Sequence, residues 1–231
     1  AESYKYLTKI EEEAFKDCQY LIEVPSIDKI PVIEKGVFEN CSNLSSLPTV
    51  LSNLIEVKES AFRNCKNLSV TLEPSIEKIG DYAFENVKCV NFAPVYNGEF
   101  KLSHIGTDAL KGCQNESFHF ADLPYLKELP SFEGCSNMSS ITFPPNVKQI
   151  PAGTFKGCTS LREVYMNENI ESIADNAFSD SKSISYLYVP TKNVPEVSAN
   201  SFNDINYLRR SWLFYLIIFI VIGIILFGEN F

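Results

Sequence analysis

A phenylalanine followed three residues later by a small or apolar residue, most often cysteine, recurs along this chain at a nearly fixed interval. No other feature constrains the fold as strongly. The instances are Phe15/Cys18, Phe38/Cys41, Phe62/Cys65, Phe84/Val87, Leu110/Cys113, Phe132/Cys135, Phe155/Cys158, Phe178/Ser181 and Phe202/Ile205, a mean step of about 23 residues. An aliphatic residue lies five positions ahead of the anchor at Ile10, Ile33, Val57, Ile79, Ile105, Ile150, Ile173 and Val197. The exception is Leu129 before Phe132, where two residues are deleted. A unit this short cannot bury its own apolar face, so the units must stack, and the expected product is a solenoid of about nine repeats over residues 1–208.

The best-formed unit runs Phe155-Lys156-Gly157-Cys158-Thr159-Ser160-Leu161-Arg162-Glu163-Val164-Tyr165-Met166, with Ile170 and Ile173 completing its apolar set. That is the spacing of a leucine-rich repeat. Val164-x-Met166 alternates like a short strand with one face inside, and Val90-x-Phe92, Phe118-x-Phe120, Ile141-x-Phe143 and Leu187-x-Val189 fill the same slot. Strands stacked about 4.8 Å apart give a curved solenoid roughly 40 Å long with a strand-lined concave face. Pro144, Pro145 and Pro190 follow these strands, where the ladder needs no further donor.

The pattern A-F-x-x-C-x-x-L-x-x-I-x-(L/F)-P, as in Ala61-Phe62-Arg63-Asn64-Cys65-Lys66-Asn67-Leu68 and in Ala177-Phe178 through Pro190, resembles the BspA-like (treponemal-type) leucine-rich repeat over residues 4–208. The resemblance implies a surface-exposed or secreted protein with a role in adhesion and ligand binding, several similar proteins ending in one transmembrane helix. Two departures are an insertion around Tyr96-Asn97-Gly98-Glu99-Phe100, read as a turn loop, and the short unit at Leu129 to Phe132.

Registering the strands predicts which side chains a partner would meet. One concave column is Pro25, Pro48, Thr71, Asn91, His119, Thr142, Tyr165 and Tyr188; its neighbour is Glu23, Ser46, Ser69, Cys89, Ser117, Ser140, Glu163 and Tyr186. Tyr165, Tyr186 and Tyr188 give the C-terminal end large amphipathic contact area of the kind enriched at interface hot spots. The candidate ligand-binding residues are therefore Tyr165, Tyr186, Tyr188, Glu163, Thr142 and His119, binding a protein or a glycan; the alternative is that these tyrosines satisfy strand propensity and cover their neighbours.

The remaining motifs mostly exclude. Cys18, Cys41, Cys65, Cys113, Cys135 and Cys158 share one repeat position and should stack as an inward ladder of packing residues, their parallel side chains disfavouring disulfides. Cys89 lies off that ladder and faces the concave surface. With no C-x-x-C and only His104 and His119, a zinc site lacks ligands, and no cofactor is expected. Sequons at Asn40, Asn43, Asn67, Asn115 and Asn137 make the chain a candidate glycoprotein, although repetition of one N-L-S turn segment explains them equally. Glu11-Glu12-Glu13 reads as a solvated edge, and the Glu-Asn, Lys-Asp and Lys-Gly pairs behind the phenylalanines as turn chemistry. No G-x-S-x-G, P-loop, G-x-G-x-x-G or H-E-x-x-H is present, so an enzyme is not expected; a membrane-tethered hydrolase is the remote alternative. A net charge of −9, from 29 acidic against 20 basic residues, leaves no basic stripe for nucleic acid.

Residues 209–231 read as a separate unit: Arg209 and Arg210, then an uncharged apolar run from Trp212 to Phe227. As a helix, residues 211–228 would span about 27 Å, close to the hydrocarbon core of a bilayer. A single-pass membrane anchor is expected, with a lipid-attachment signal at Ser198 to Ser201, followed by the spacer Phe202 to Ser211, as the alternative. The two arginines taken alone place the repeats in the cytosol, as in a tail-anchored scaffold; the family resemblance places them outside the cell, and that is the reading adopted here. No secretory signal is visible, and the open apolar edge at Leu7 and Ile10 favours a missing N-terminal segment.

Overall fold

In the computed structural model, residues 7–24, 26–47, 51–95, 99–189 and 195–202 are described. They form a β-solenoid in which each turn contributes to two parallel ladders. The first carries the longer strands, β3 (Ser69–Leu72), β5 (Cys89–Phe92), β7 (Ser117–His119), β8 (Ser140–Thr142), β10 (Glu163–Tyr165) and β12 (Tyr186–Tyr188), preceded by the bridges Glu23 to Ser46 and Ser46 to Ser69. The second is made of two-residue strands: β1 (Val32–Ile33), β2 (Glu56–Val57), β4 (Lys78–Ile79), β6 (His104–Ile105), β9 (Gln149–Ile150), β11 (Ser172–Ile173) and β13 (Glu196–Val197).

The sequence reading anticipates only the first ladder. The aliphatics five positions ahead of the anchor, from Ile33 to Val197, are the second residues of the second one, registered Ile33 to Val57, Val57 to Ile79, Ile79 to Ile105, Ile150 to Ile173 and Ile173 to Val197. All of these but Val197 are buried, which is why the position is apolar in the sequence.

Two chemical features fold each turn the same way. Two positions before the anchor and two after it, the backbone is left-handed: Gly36, Ser60, Tyr82, Asp108, Gly153 and Asn176 before, and Asp17, Asn40, Asn64, Asn86, Gly112, Gly134, Gly157 and Asp180 after. Gly, Asn and Asp adopt that region at least cost, so the repeated pairs behind the phenylalanines are turn chemistry as expected. Between these residues the phenylalanine anchors from Phe15 to Phe84 and from Phe132 to Phe178 donate their N–H to the neighbouring turn, as in Phe38 to Ala61, Phe62 to Ala83 and Phe155 to Ala177, each at 2.8 Å. The rings consequently stack nearly parallel, with centroids 5.4, 5.3 and 5.4 Å apart from Phe15 to Phe84 and 5.4, 4.9 and 4.9 Å apart from Phe132 to Phe202.

Leu110 interrupts this ring column. Phe118 and Phe120 instead pack on Phe132, with centroids 5.1 and 5.9 Å away, and Phe120 meets Phe92 edge-on. Both ladders break near this point. The first stops pairing between β5 and β7, and the second between β6 and β9, the turn in which two residues are deleted and Pro130 occupies a position that is left-handed elsewhere. A proline ring fixes φ near −65°, so that turn cannot follow its neighbours.

At the first break a side chain replaces a strand. Asn115 is buried; its Oδ1 accepts from the Val90 N–H at 2.9 Å and its Nδ2 donates to the Val90 carbonyl at 2.8 Å. These are the backbone groups that the adjacent strand would satisfy in an unbroken parallel ladder.

The cysteine ladder is inward, with one correction. Cys41, Cys65, Cys113, Cys135 and Cys158 are buried, and each Sγ donates to the anchor carbonyl of the preceding turn, at 3.0 to 3.2 Å. Ser181 does the same through Oγ. Cys18, expected to be buried with them, is exposed, because it belongs to the first described turn and no described turn covers that side. All seven thiols are free.

Candidate functional site

Pleating decides what the long-strand ladder presents. In β10 the side chain of Val164 is buried while Glu163 and Tyr165 point outward, and in β12 Leu187 is buried between Tyr186 and Tyr188. Parallel register sets Glu163 beside Ser140 on one side and Tyr186 on the other, and Tyr165 beside Thr142 and Tyr188. Ser117 and His119 continue the two columns beside Ser140 and Thr142. All six residues expected to meet a ligand therefore stand on one face, in two adjacent columns. Pro25 and Pro48, placed in the same column by sequence, lie outside the described residues.

The C-terminal end of that face is a two-by-two block of Glu163, Tyr165, Tyr186 and Tyr188. Tyr165 lies 5.7 Å from Tyr186 and 6.4 Å from Tyr188, ring to ring, with interplanar angles of 48° and 39°. The rings are thus inclined to one another instead of forming a flat row. Tyr186 and Tyr188 remain 46 % and 48 % exposed, which is far from the burial of a packing residue. The Tyr165 hydroxyl donates to Glu163 Oε2 at 3.0 Å, and that bond to a carboxylate raises the Tyr165 phenol above its ordinary range. One turn back, His119 Nδ1 lies 3.3 Å from Thr142 Oγ1, fixing both side chains to the face.

The flanks were not anticipated from the sequence. One residue ahead of the strands stand Lys88, Glu116 and Arg162; beyond their trailing ends stand Glu73, Asp122 and Glu168. Within the two columns the only charged side chains among the described residues are Glu23 and Glu163. With Lys66 three residues ahead of β3, the leading flank is basic in balance and the trailing flank acidic. Several basic side chains elsewhere meet carboxylates of adjacent turns: Lys16 meets Glu39, Lys35 meets Glu59, Arg63 meets Glu85, and Lys111 and Lys156 share Glu133. The strand register was the signal that would have exposed this asymmetry.

Of the other candidates, Cys89 is half-buried beside this face, its Sγ 3.2 Å from Asn91 Oδ1, with burial raising its pKa. Asn43, Asn67 and Asn137 are exposed, whereas Asn115 is buried in the break and Asn40 is half-buried, held in a ladder in which Asn40 Nδ2 donates to Asp17 Oδ1 and Asn64 Nδ2 to Asn40 Oδ1. In the folded chain the amides of those two are thus engaged in hydrogen bonds, and the five sequons do not share one environment. Among the described residues no group of His, Cys, Asp and Glu is placed to hold a metal ion. The expected membrane span at 211–228, with Arg209, Arg210 and the Trp212 to Phe227 run, lies outside the described residues; among the described residues no helix is long and apolar enough to cross a membrane.

Comparisons with known proteins agree with this architecture. A family model described as the BspA-type leucine-rich repeat region matches residues 3–117 and 128–214, in six copies. A leucine-rich repeat protein from Bacteroides ovatus superimposes with a TM-score of 0.62 at 20 % identity, over 83 % of this chain and 55 % of that one. This chain thus spans about half the length of that protein. A Treponema pallidum leucine-rich repeat protein matches with a TM-score of 0.47 at 20 % identity, over 78 % of this chain and 67 % of that one. A pneumococcal vaccine antigen matches at 0.45 and 18 % identity, over 71 % and 49 %. A comparison with curated proteins found no match.

Proposed function

Because this chain belongs to the BspA-type leucine-rich repeat family, we propose that it is a non-enzymatic interaction and adhesion module whose long-strand face binds a protein or glycan ligand. The observation that carries the reading is the block of Glu163, Tyr165, Tyr186 and Tyr188, which the paired strands β10 and β12 present outward. Clustered, half-exposed tyrosines on a fixed backbone provide contact area at small conformational cost, which is the composition of interface hot spots. In this reading residues 1–208 form the solenoid, residues 211–228 span a membrane through the Trp212 to Phe227 run, and the repeats stand outside the cell. No cofactor is involved.

Replacing Tyr165, Tyr186 and Tyr188 together by alanine in the full chain tests the face. Binding of the purified protein to candidate cells should fall by at least about tenfold, the effect of roughly 1.4 kcal/mol, with an unchanged melting profile. Unchanged cell binding would remove this face from the function.

A second reading, supported by Arg209 and Arg210 ahead of the apolar run, is a tail-anchored scaffold with cytosolic repeats. Protease treatment of intact cells separates the two: loss of the repeat domain supports the surface reading, and survival until permeabilisation supports the cytosolic one.

A further inference from the structure

We propose that the block formed by Tyr165, Tyr186, Tyr188 and Glu163 receives a cationic side chain, arginine or lysine, from a basic peptide segment of the partner. The inference rests on the reading above that this face binds a ligand, and it names the class of that ligand.

Ring geometry comes first. A cation is attracted to an aromatic face when it lies within about 6 Å of the ring centroid. With Tyr165 5.7 Å from Tyr186 and 6.4 Å from Tyr188, a single guanidinium or ammonium seated among them contacts more than one ring. The interplanar angles of 48° and 39° leave the three rings non-coplanar, so their faces are not used up by stacking on one another. Glu163 stands beside the rings, held by the Tyr165 hydroxyl through Oε2, so Oε1 remains to accept a charge-assisted bond.

Charge comes second. No lysine or arginine stands in either outward column among the described residues, and the trailing flank carries Glu73, Asp122 and Glu168. Glu163 faces Ser140 and Tyr186 across the ladder, with no basic side chain at either neighbouring position of its column, whereas Glu39, Glu85 and Glu133 each meet a lysine or arginine of an adjacent turn. An acidic, aromatic face steers a basic segment toward it and disfavours an acidic one. Among the described residues Arg162, immediately ahead of Glu163 on the leading flank, is the basic group next to the block, and it opposes the proposed ligand.

The test uses the purified full chain in a non-ionic detergent and three fluorescent probes. These are a twelve-residue peptide alternating arginine and glycine, the same peptide with neutral citrulline for arginine, and cellohexaose. The arginine peptide should bind, the citrulline peptide should bind on the order of tenfold more weakly, and affinity should fall with added salt. Glu163→Gln should cost about tenfold, and Tyr186→Ala or Tyr188→Ala about two- to fivefold each. Arg162→Ala should tighten binding, and the distant Glu12→Gln should leave it unchanged. These positions are exposed, so far-ultraviolet dichroism should show the fold unaltered. Equal binding of the two peptides, or binding of none of the probes, overturns the proposal. Cellohexaose bound in a tyrosine-dependent way overturns the cationic class while leaving the ligand-binding reading standing. The cell-binding experiment with the three tyrosines replaced tests that reading independently.

Discussion

Asn115→Ala probes the point at which a side chain substitutes for a strand. Asn115 makes two hydrogen bonds to one buried residue, at 2.9 Å from the Val90 N–H and 2.8 Å to its carbonyl. Alanine leaves both backbone groups without a partner in a site from which water is excluded. Each orphaned group costs about 1 to 3 kcal/mol, so the expected loss from the two is about 2 to 6 kcal/mol. In a solenoid, stability is a sum over neighbouring turns, and a loss at one interface falls on that interface. Denaturant unfolding followed by circular dichroism should therefore show an earlier and broader transition, with the turns up to β5 separating from those that begin at β7. Amide exchange at Val90 should accelerate well beyond that at Val164, which lies in an unbroken part of the ladder.

Asn115→Asp replaces the Nδ2 donor by an oxygen facing the Val90 carbonyl, which raises the folded-state carboxyl pKa above its unfolded value. Stability is then fully present below the unfolded value of about 3.9 and is lost as pH rises from there through the raised folded-state value. The aspartate variant should be destabilised at neutral pH and recover in acid, where a protonated carboxyl can donate to Val90. If Asn115→Ala cost less than about 0.5 kcal/mol, a surface-like effect, and left Val90 exchange unchanged, the account of this break would be wrong.

The thiols should titrate in classes set by burial: with a disulfide reagent under native conditions Cys18 reacts at once and Cys89 slowly, while Cys41, Cys65, Cys113, Cys135 and Cys158 react only in denaturant. Rapid reaction of more than two thiols would refute the inward ladder. Burial pushes Cys41 up to about 11 and Cys135 up to about 12 from 9.0, so their contribution to stability is intact below pH 9 and is lost as pH rises through 11 to 12; Cys135→Ser should flatten the upper part of that alkaline loss, since Ser181 already makes the same bond. A chain expressed through a eukaryotic secretory pathway should accept glycans at Asn43, Asn67 and Asn137 but not at Asn40 or Asn115, read by mass after deglycosylation. Gly112→Ala puts a Cβ 2.3 Å from Asn86 Oδ1 at a φ of +67°, whereas at Gly153, with a φ of +71°, nothing lies within 4 Å. Calorimetry should thus show about 1 to 2 kcal/mol lost at Gly153→Ala from backbone strain, and at Gly112→Ala the same strain plus the Asn86 to Asn64 side-chain bond that the displaced Asn86 amide gives up.

Positions whose role repeats were legible in the sequence, and positions whose role is unique were not. Phe155 and Cys158 could be assigned inward because the same types recur at the same spacing, and the strand columns from Thr71 to Tyr188 followed once one strand was registered. The second ladder went unseen because two-residue strands such as Val57 and Ile79 with their neighbours give no alternation to detect; only their inward member is constrained. Asn115 shows the limit most directly. Its sequon is of the same kind as Asn67-Leu68-Ser69, yet one amide is held inside the fold and the other is in solvent. The residue between differs: Leu68 is buried, whereas Glu116 at the same repeat position is exposed. Phe118 and Phe120 keep the inward strand positions, while pairing between β5 and β7 is lost and Asn115 faces the Val90 backbone in its place. The acidic trailing flank is equally hard to foresee: Glu73, Asp122 and Glu168 are unremarkable surface residues singly, and are grouped only by their place after the strands. In a repeat protein the common fold is written in what each unit shares, while the binding surface and the weak interface are written in where one unit departs from the rest.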